Sequence, residues 1–143
     1  MATVELRFSA LPEHVRTARL VAAAVARRAG VEEAVLDEVR LAVGEACSRA
    51  VGLHRSHGVT APVRVVLTEE EKVFSIEVGD EVPGPSGAAP GSHGGADDAD
   101  AEGEDEMGLA VISGLVDDVE VSAGELGGLI RMSWPKPPSH PLP

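Results

Sequence analysis

The sequence predicts an α+β two-layer sandwich: a mixed or antiparallel β-sheet with helices packed on one face. Three observations predict it. Several short segments alternate apolar and polar residues, the period of a half-buried strand. Two long segments carry apolar residues three and four apart, the period of an amphipathic helix. The elements follow in the order strand, two helices, two strands, helix, two strands, with no internal repeat.

"TVELRFSA" sets Val4, Leu6 and Phe8 on one face of a first strand. "LPEHVRTARLVAAAVARRAG" opens with Pro12 and Glu13, closes with Arg27 and Arg28 before Gly30, and so has the polarity of a helix with its dipole matched at both ends. Its expected core stripe is Leu11, Val15, Ala18, Ala22, Val25 and Ala29. A second helix is expected from about Glu32 or Leu36 to Val51, with Leu36, Val39, Val43, Ala46 and Ala50 inward. "PVRVVLTE" and "KVFSIEVGD" read as a hairpin around a polar turn. "MGLAVISGLVDDVEV" begins as a third helix and becomes a strand near Val119, and "GGLIRMSW" is the last strand, with Trp134 capping the core.

A chain of 143 residues is one domain's worth. The expected domain spans 1–134, interrupted by a loop at 85–106 of Gly, Ala, Ser, Pro and acid, with no branched aliphatic or aromatic residue and the composition of a disordered linker. A Pro-rich tail follows at 135–143. Twenty-four acidic against twelve basic residues give a net charge of -12, which disfavours nucleic acid as the partner because phosphates are neutralised by Lys and Arg. Much of the excess lies between Asp97 and Glu106. No start suggests a signal peptide and no apolar run reaches membrane-spanning length, so the expected place is the cytoplasm, without a membrane partner. The single Cys47 sits on an apolar helical stripe, where a thiol behaves as a small hydrophobe. Five dispersed histidines, of which only His54 and His57 fall close together in "HRSH", read as surface polar residues rather than a zinc site.

The second helix poses the functional question. In "EVRLAVGEACSRAV" Glu45 and Arg49 fall opposite the apolar stripe, one turn apart. An exposed pair at that spacing contributes about 0.2 to 0.5 kcal/mol and explains the spacing by itself. It does not explain why Leu41, Gly44, Ser48 and Gly52 on the same face are apolar or very small, a surface open to another molecule.

Five segments, "FSALPEHVRTARLVAAAVA", "LDEVRLAVGEACSRAV", "VGDEVPG", "MGLAVISGLVDDVEV" and "LGGLIRMSW", resemble in order the anti-sigma factor serine kinases of the GHKL, or histidine-kinase-like, ATPase superfamily. The resemblance runs from Val4 to Trp134, apart from the acidic loop. It implies the ATPase fold of that superfamily, an ATP site, and competitive binding of a sigma factor and an anti-anti-sigma factor of STAS type, with homodimers common.

In the family the second helix carries a Glu as general base and, four residues on, an Asn that ligates Mg²⁺. Glu45 stands at the first position and Arg49 at the second. Mg²⁺ requires oxygen ligands, and a guanidinium has five donors and no acceptor, so Arg49 is no magnesium ligand. The adenine motif, an Asp followed by two alternating glycines, matches Asp80 and Gly84, with Val82 in place of the first glycine. The phosphate loop before the third helix keeps Gly108, preceded by Glu104, Asp105 and Glu106, which repel a triphosphate. Each motif thus lacks a part needed for Mg·ATP.

Two accounts of Arg49 follow: its planar fork grips phosphate directly, or it pairs with Glu45 and fills the vacated pocket. The second is preferred. Arg19, and with it Arg16, matches the part of the first helix that contacts protein partners in the family. The expected function is an anti-sigma-factor-like regulator working by partner exchange, with ATP binding weak or lost. The alternative is an active serine kinase with Glu45 as base. A third reading is a small-ligand receptor using the remnant pocket.

Overall fold

A computed structural model describes residues 2–83, 109–116 and 118–136. Its order is β1 (Ala2–Phe8), α1 (Pro12–Ala29), α2 (Glu33–Ser56), β2 (Val63–Glu69), β3 (Val73–Gly79), a short helix α3 (109–115), β4 (Asp118–Gly124) and β5 (Gly127–Pro135). The five strands form one sheet in the order β1-β2-β3-β5-β4. Every neighbouring pair is antiparallel, which resolves the choice between a mixed and an antiparallel sheet.

The alternation in each strand puts its apolar residues on one face. Two rows cross the sheet in register: Leu6, Val65, Val78, Ile130 and Val121, then Val4, Leu67, Ile76, Met132 and Val119. Their central members are buried and join the stripes of α1 and α2 in one core, while Val4 and Val121 at the two edges are exposed. Phe74 opposes Trp134 at one end of this core, and the indole N–H donates to Glu38 Oε1 at 3.0 Å. Trp134 therefore closes the core as expected, its polar edge satisfied by α2.

Pro12 occupies the first turn of α1, where its missing N–H costs nothing. Gly30 ends the helix with φ 96°, and its N–H turns back to the carbonyls of Ala26 and Arg27, a geometry that disfavours a side chain. The inward stripe differs in part from the expectation: Leu11 is exposed and Val25 only half-buried, while Ala23 and Ala26 are buried. Small residues on this stripe let the α1 backbone lie close against α2, so the alanines, not the larger side chains, mark the contact.

In α2 all five expected core residues are buried. The helix runs past the expected end at Val51 to Ser56, because Gly52 meets no obstruction and His54 anchors the last turn. His54 is fully buried, contrary to its reading as a surface residue. Its Nε2 accepts the Glu81 N–H at 2.8 Å, so Nδ1 carries the proton and donates to the Ala61 carbonyl at 2.9 Å. The end of α2, the loop that follows it and the residue after β3 and Asp80 meet on one ring. Cys47 is buried, and burial pushes its thiol up to about 12.

Candidate functional site

Two flanks of α2 carry the expected site residues, and the structure separates them. Glu45 lies on the flank facing α1, in a groove of about 280 Å³ shared with Arg16, Arg19, Leu41, Gly44 and Ser48. Arg16 and Arg19 are exposed on α1. The smallness of the α2 face has a packing cause at one position: a Cβ on Gly44 would stand 2.7 Å from Arg19 Cδ. Gly44 thus seats the aliphatic stem of Arg19 and lets its guanidinium reach solvent beside Glu45. Leu41 is exposed at 54%, and Gly52 has open space beside it, so the rest of the face is free among the described residues.

Arg49 lies on the other flank and does not pair with Glu45, which corrects the preferred sequence reading. Its Nη1 stands 3.9 Å from Oδ2 of Asp80 at the end of β3, with side-chain exposures of 18% and 5%. A buried carboxylate in a low-dielectric setting attracts the guanidinium more strongly than a half-exposed glutamate one helical turn away. The contact is longer than a hydrogen bond. Arg49 Nε is buried and has no acceptor among the described residues. Glu45 has no ion-pair partner among the described residues.

Asp80 is held from several sides. Its Oδ1 accepts the Val82 N–H at 2.9 Å and the Gly128 N–H at 3.2 Å, while its own N–H donates to the Gly128 carbonyl at 3.0 Å. Gly127 has φ 136°, and a Cβ there would stand 1.9 Å from the Asp80 carbonyl oxygen; one on Gly128 would stand 2.6 Å from Oδ2. These two glycines of "LGGL" exist to let the β4–β5 hairpin close on Asp80. The next residue, Glu81, is fixed by His54. Sequence reasoning found Asp80 but missed Gly127, Gly128 and His54; the doubled glycine at a strand start was the available signal.

The fit to Mg·ATP can be judged on these groups. Arg49, the α2 side chain that faces Asp80, has no lone pair on its nitrogens to offer a hard cation. Oδ1 of Asp80 already accepts two backbone hydrogen bonds, and Oδ2 faces a guanidinium. Among the described residues, Arg49 therefore offers no ligand to the Mg²⁺ of Mg·ATP. Gly84, Gly108 and the acidic loop lie outside the described residues.

A sheet with helices on one face, and a site between the long second helix and the end of a central strand, define a class. The family model of the histidine kinase-like ATPase domain matches residues 8–134, and the chain belongs to that family. A serine-protein kinase RsbW of Oceanobacillus iheyensis is 25% identical over 146 residues, which cover 91% of this chain and 84% of that protein. Among the described residues no helix is long and apolar enough to cross a membrane.

Proposed function

We propose that this protein is an anti-sigma-factor-like regulator that works by exchanging protein partners, a sigma factor and an anti-anti-sigma factor, without Mg·ATP chemistry. One observation carries the reading: Arg49, a side chain with donors only, points from the metal-ligand position of α2 at Asp80, the residue matched to adenine recognition. The family membership and the RsbW relative support the partner class. The groove with Arg16, Arg19 and Leu41 is the surface for those partners: it joins cations on long stems to an exposed leucine, a mixture suited to a protein surface. Glu45 lies in it as a polar contact.

Partner binding tests this directly. Complex formation with sigma and anti-anti-sigma proteins of the same cell is measured in nucleotide-free buffer and again with Mg·ATP. The reading expects equal affinity in both, and a requirement for nucleotide would contradict it.

A second reading has an observation in its favour. Glu45 is not neutralised by Arg49, so a general base remains available, and the relative is named a serine-protein kinase. Serine phosphorylation of the anti-anti-sigma protein, lost in Glu45→Ala, would establish that reading.

A further inference from the structure

The sheet face turned away from the helices holds a cavity of about 450 Å³, within the usual range of roughly 300–1,000 Å³ for small-molecule sites. One row of the sheet crosses it: Arg7 opposes Arg64, Arg64 opposes Gly79, and Gly79 opposes Leu129. These residues alternate with the core-facing Leu6, Val65, Val78 and Ile130 and so lie on the opposite face from the site above. Pro62, Asp80, Glu81, Leu126, Gly127 and Gly128 complete the lining.

Three features of this cavity bear on what it could hold. The first is Gly79, which forms its floor. Its φ is not positive, and a Cβ added there would meet nothing closer than 3.8 Å, so the strand would accept a larger residue. A glycine inside a strand weakens it and often marks a place kept clear for something else.

The second is the cross-strand pair of Arg7 and Arg64, an unfavourable arrangement of like charges in a chain of net charge -12. Glu5 is shared between them, at 3.5 Å from Arg7 and 3.7 Å from Arg64, both longer than a good hydrogen bond. The third is Leu126, 92% exposed in the turn of the β4–β5 hairpin.

Asp80 borders this cavity with its side chain turned to the helix side. Gly128 shares the face of Ile130, and a Cβ on it would meet the Asp80 carboxylate, so that carboxylate lies on the helix side. Glu81 stands exposed on the rim, where it disfavours multiply charged anions such as nucleotides.

We propose that this cavity binds a small amphiphilic monocarboxylate, its carboxylate held by the forks of Arg7 and Arg64 and its apolar body lying over Gly79 against Leu126, Leu129 and Pro62. A planar carboxylate matches the paired donors of a guanidinium, and the apolar wall recognises the remainder. The proposal is independent of whether the protein binds ATP or a sigma factor.

Amide chemical shifts of the full chain, titrated with octanoate, octanol and octylammonium, test it. Octanoate is expected to give saturable shifts centred on Gly79, Gly127, Gly128 and Leu129, and the uncharged and cationic probes to bind about tenfold or more weakly. Arg7→Gln and Arg64→Gln, both on exposed side chains, should each weaken octanoate about tenfold. Gly79→Leu should abolish binding by filling the floor; if that variant does not fold, the arginine variants decide. Equal binding of all three probes, shifts centred elsewhere, unchanged affinity in both arginine variants, or no saturation up to about 10 mM octanoate would each overturn the proposal.

Discussion

Arg49 of α2 faces Asp80 at the end of β3, with Nη1 3.9 Å from Oδ2, and leaves Glu45, its neighbour one helical turn away, unpaired among the described residues. The pair links the second helix to the end of a central strand. It is an electrostatic contact without a shared hydrogen bond. Asp80 is satisfied by backbone amides, whereas Arg49 Nε is buried and unpartnered among the described residues.

That imbalance makes the two residues unequal. Asp80→Ala removes the acceptor of two amides and strands a guanidinium, and should cost about 2–4 kcal/mol of unfolding free energy. Arg49→Met leaves Asp80 with both amides and removes an unsatisfied donor, but also takes away the cation facing a buried carboxylate, so its cost should be about 1–2 kcal/mol, below that of Asp80→Ala. Urea unfolding of both single variants and the double variant should give a coupling of about 1 kcal/mol; none at all would mean that the pair is only proximity.

The hairpin glycines and the strand glycine should respond with opposite sign. Gly128→Ala drives a Cβ to 2.6 Å from Asp80 Oδ2 and should destabilise by about 1–3 kcal/mol. Gly79→Ala adds a Cβ in ordinary contact only and should be neutral or stabilising by up to about 1 kcal/mol. Denaturant midpoints of the two variants check both signs.

Cys47 predicts an alkaline slope. Burial raises its folded pKa to about 12 from an ordinary value of 9.0, so the folded state holds the proton more tightly. Stability from this group is complete below pH 9 and falls between pH 9 and 12, by about 1.4 kcal/mol per unit. The slope should be smaller by that amount in Cys47→Ala, measured by urea unfolding across this window.

The α1–α2 groove should be energetically divided. Arg19→Ala removes an exposed cation and its stem without touching the core, so it should weaken partner binding by about tenfold or more while changing stability by less than about 0.5 kcal/mol. Gly44→Ala displaces the Arg19 stem and should weaken binding in the same direction. Calorimetry with the purified partner reads both effects.

The fold was legible because its signals are local. Period-two strands such as Val63, Val65 and Leu67, and the stripe from Leu36 to Ala50, need no knowledge of their partners. The α1 stripe was misjudged at Leu11 and Val25 because hydrophobicity, not size, was used to choose between neighbouring positions, and the close helix contact selects alanine. The site was legible only residue by residue. Arg49 was seen, but its partner was assigned to the nearest carboxylate in sequence, whereas Asp80 is brought to it by the sheet. His54 was missed for the same reason, since both its hydrogen-bond partners come from other segments.

The most direct test is a calorimetric titration of the intact protein with ATP, with and without Mg²⁺. A guanidinium at the metal-ligand position predicts no binding that depends on Mg²⁺ up to about 1 mM nucleotide. Micromolar ATP affinity that is lost on removing Mg²⁺ would contradict it.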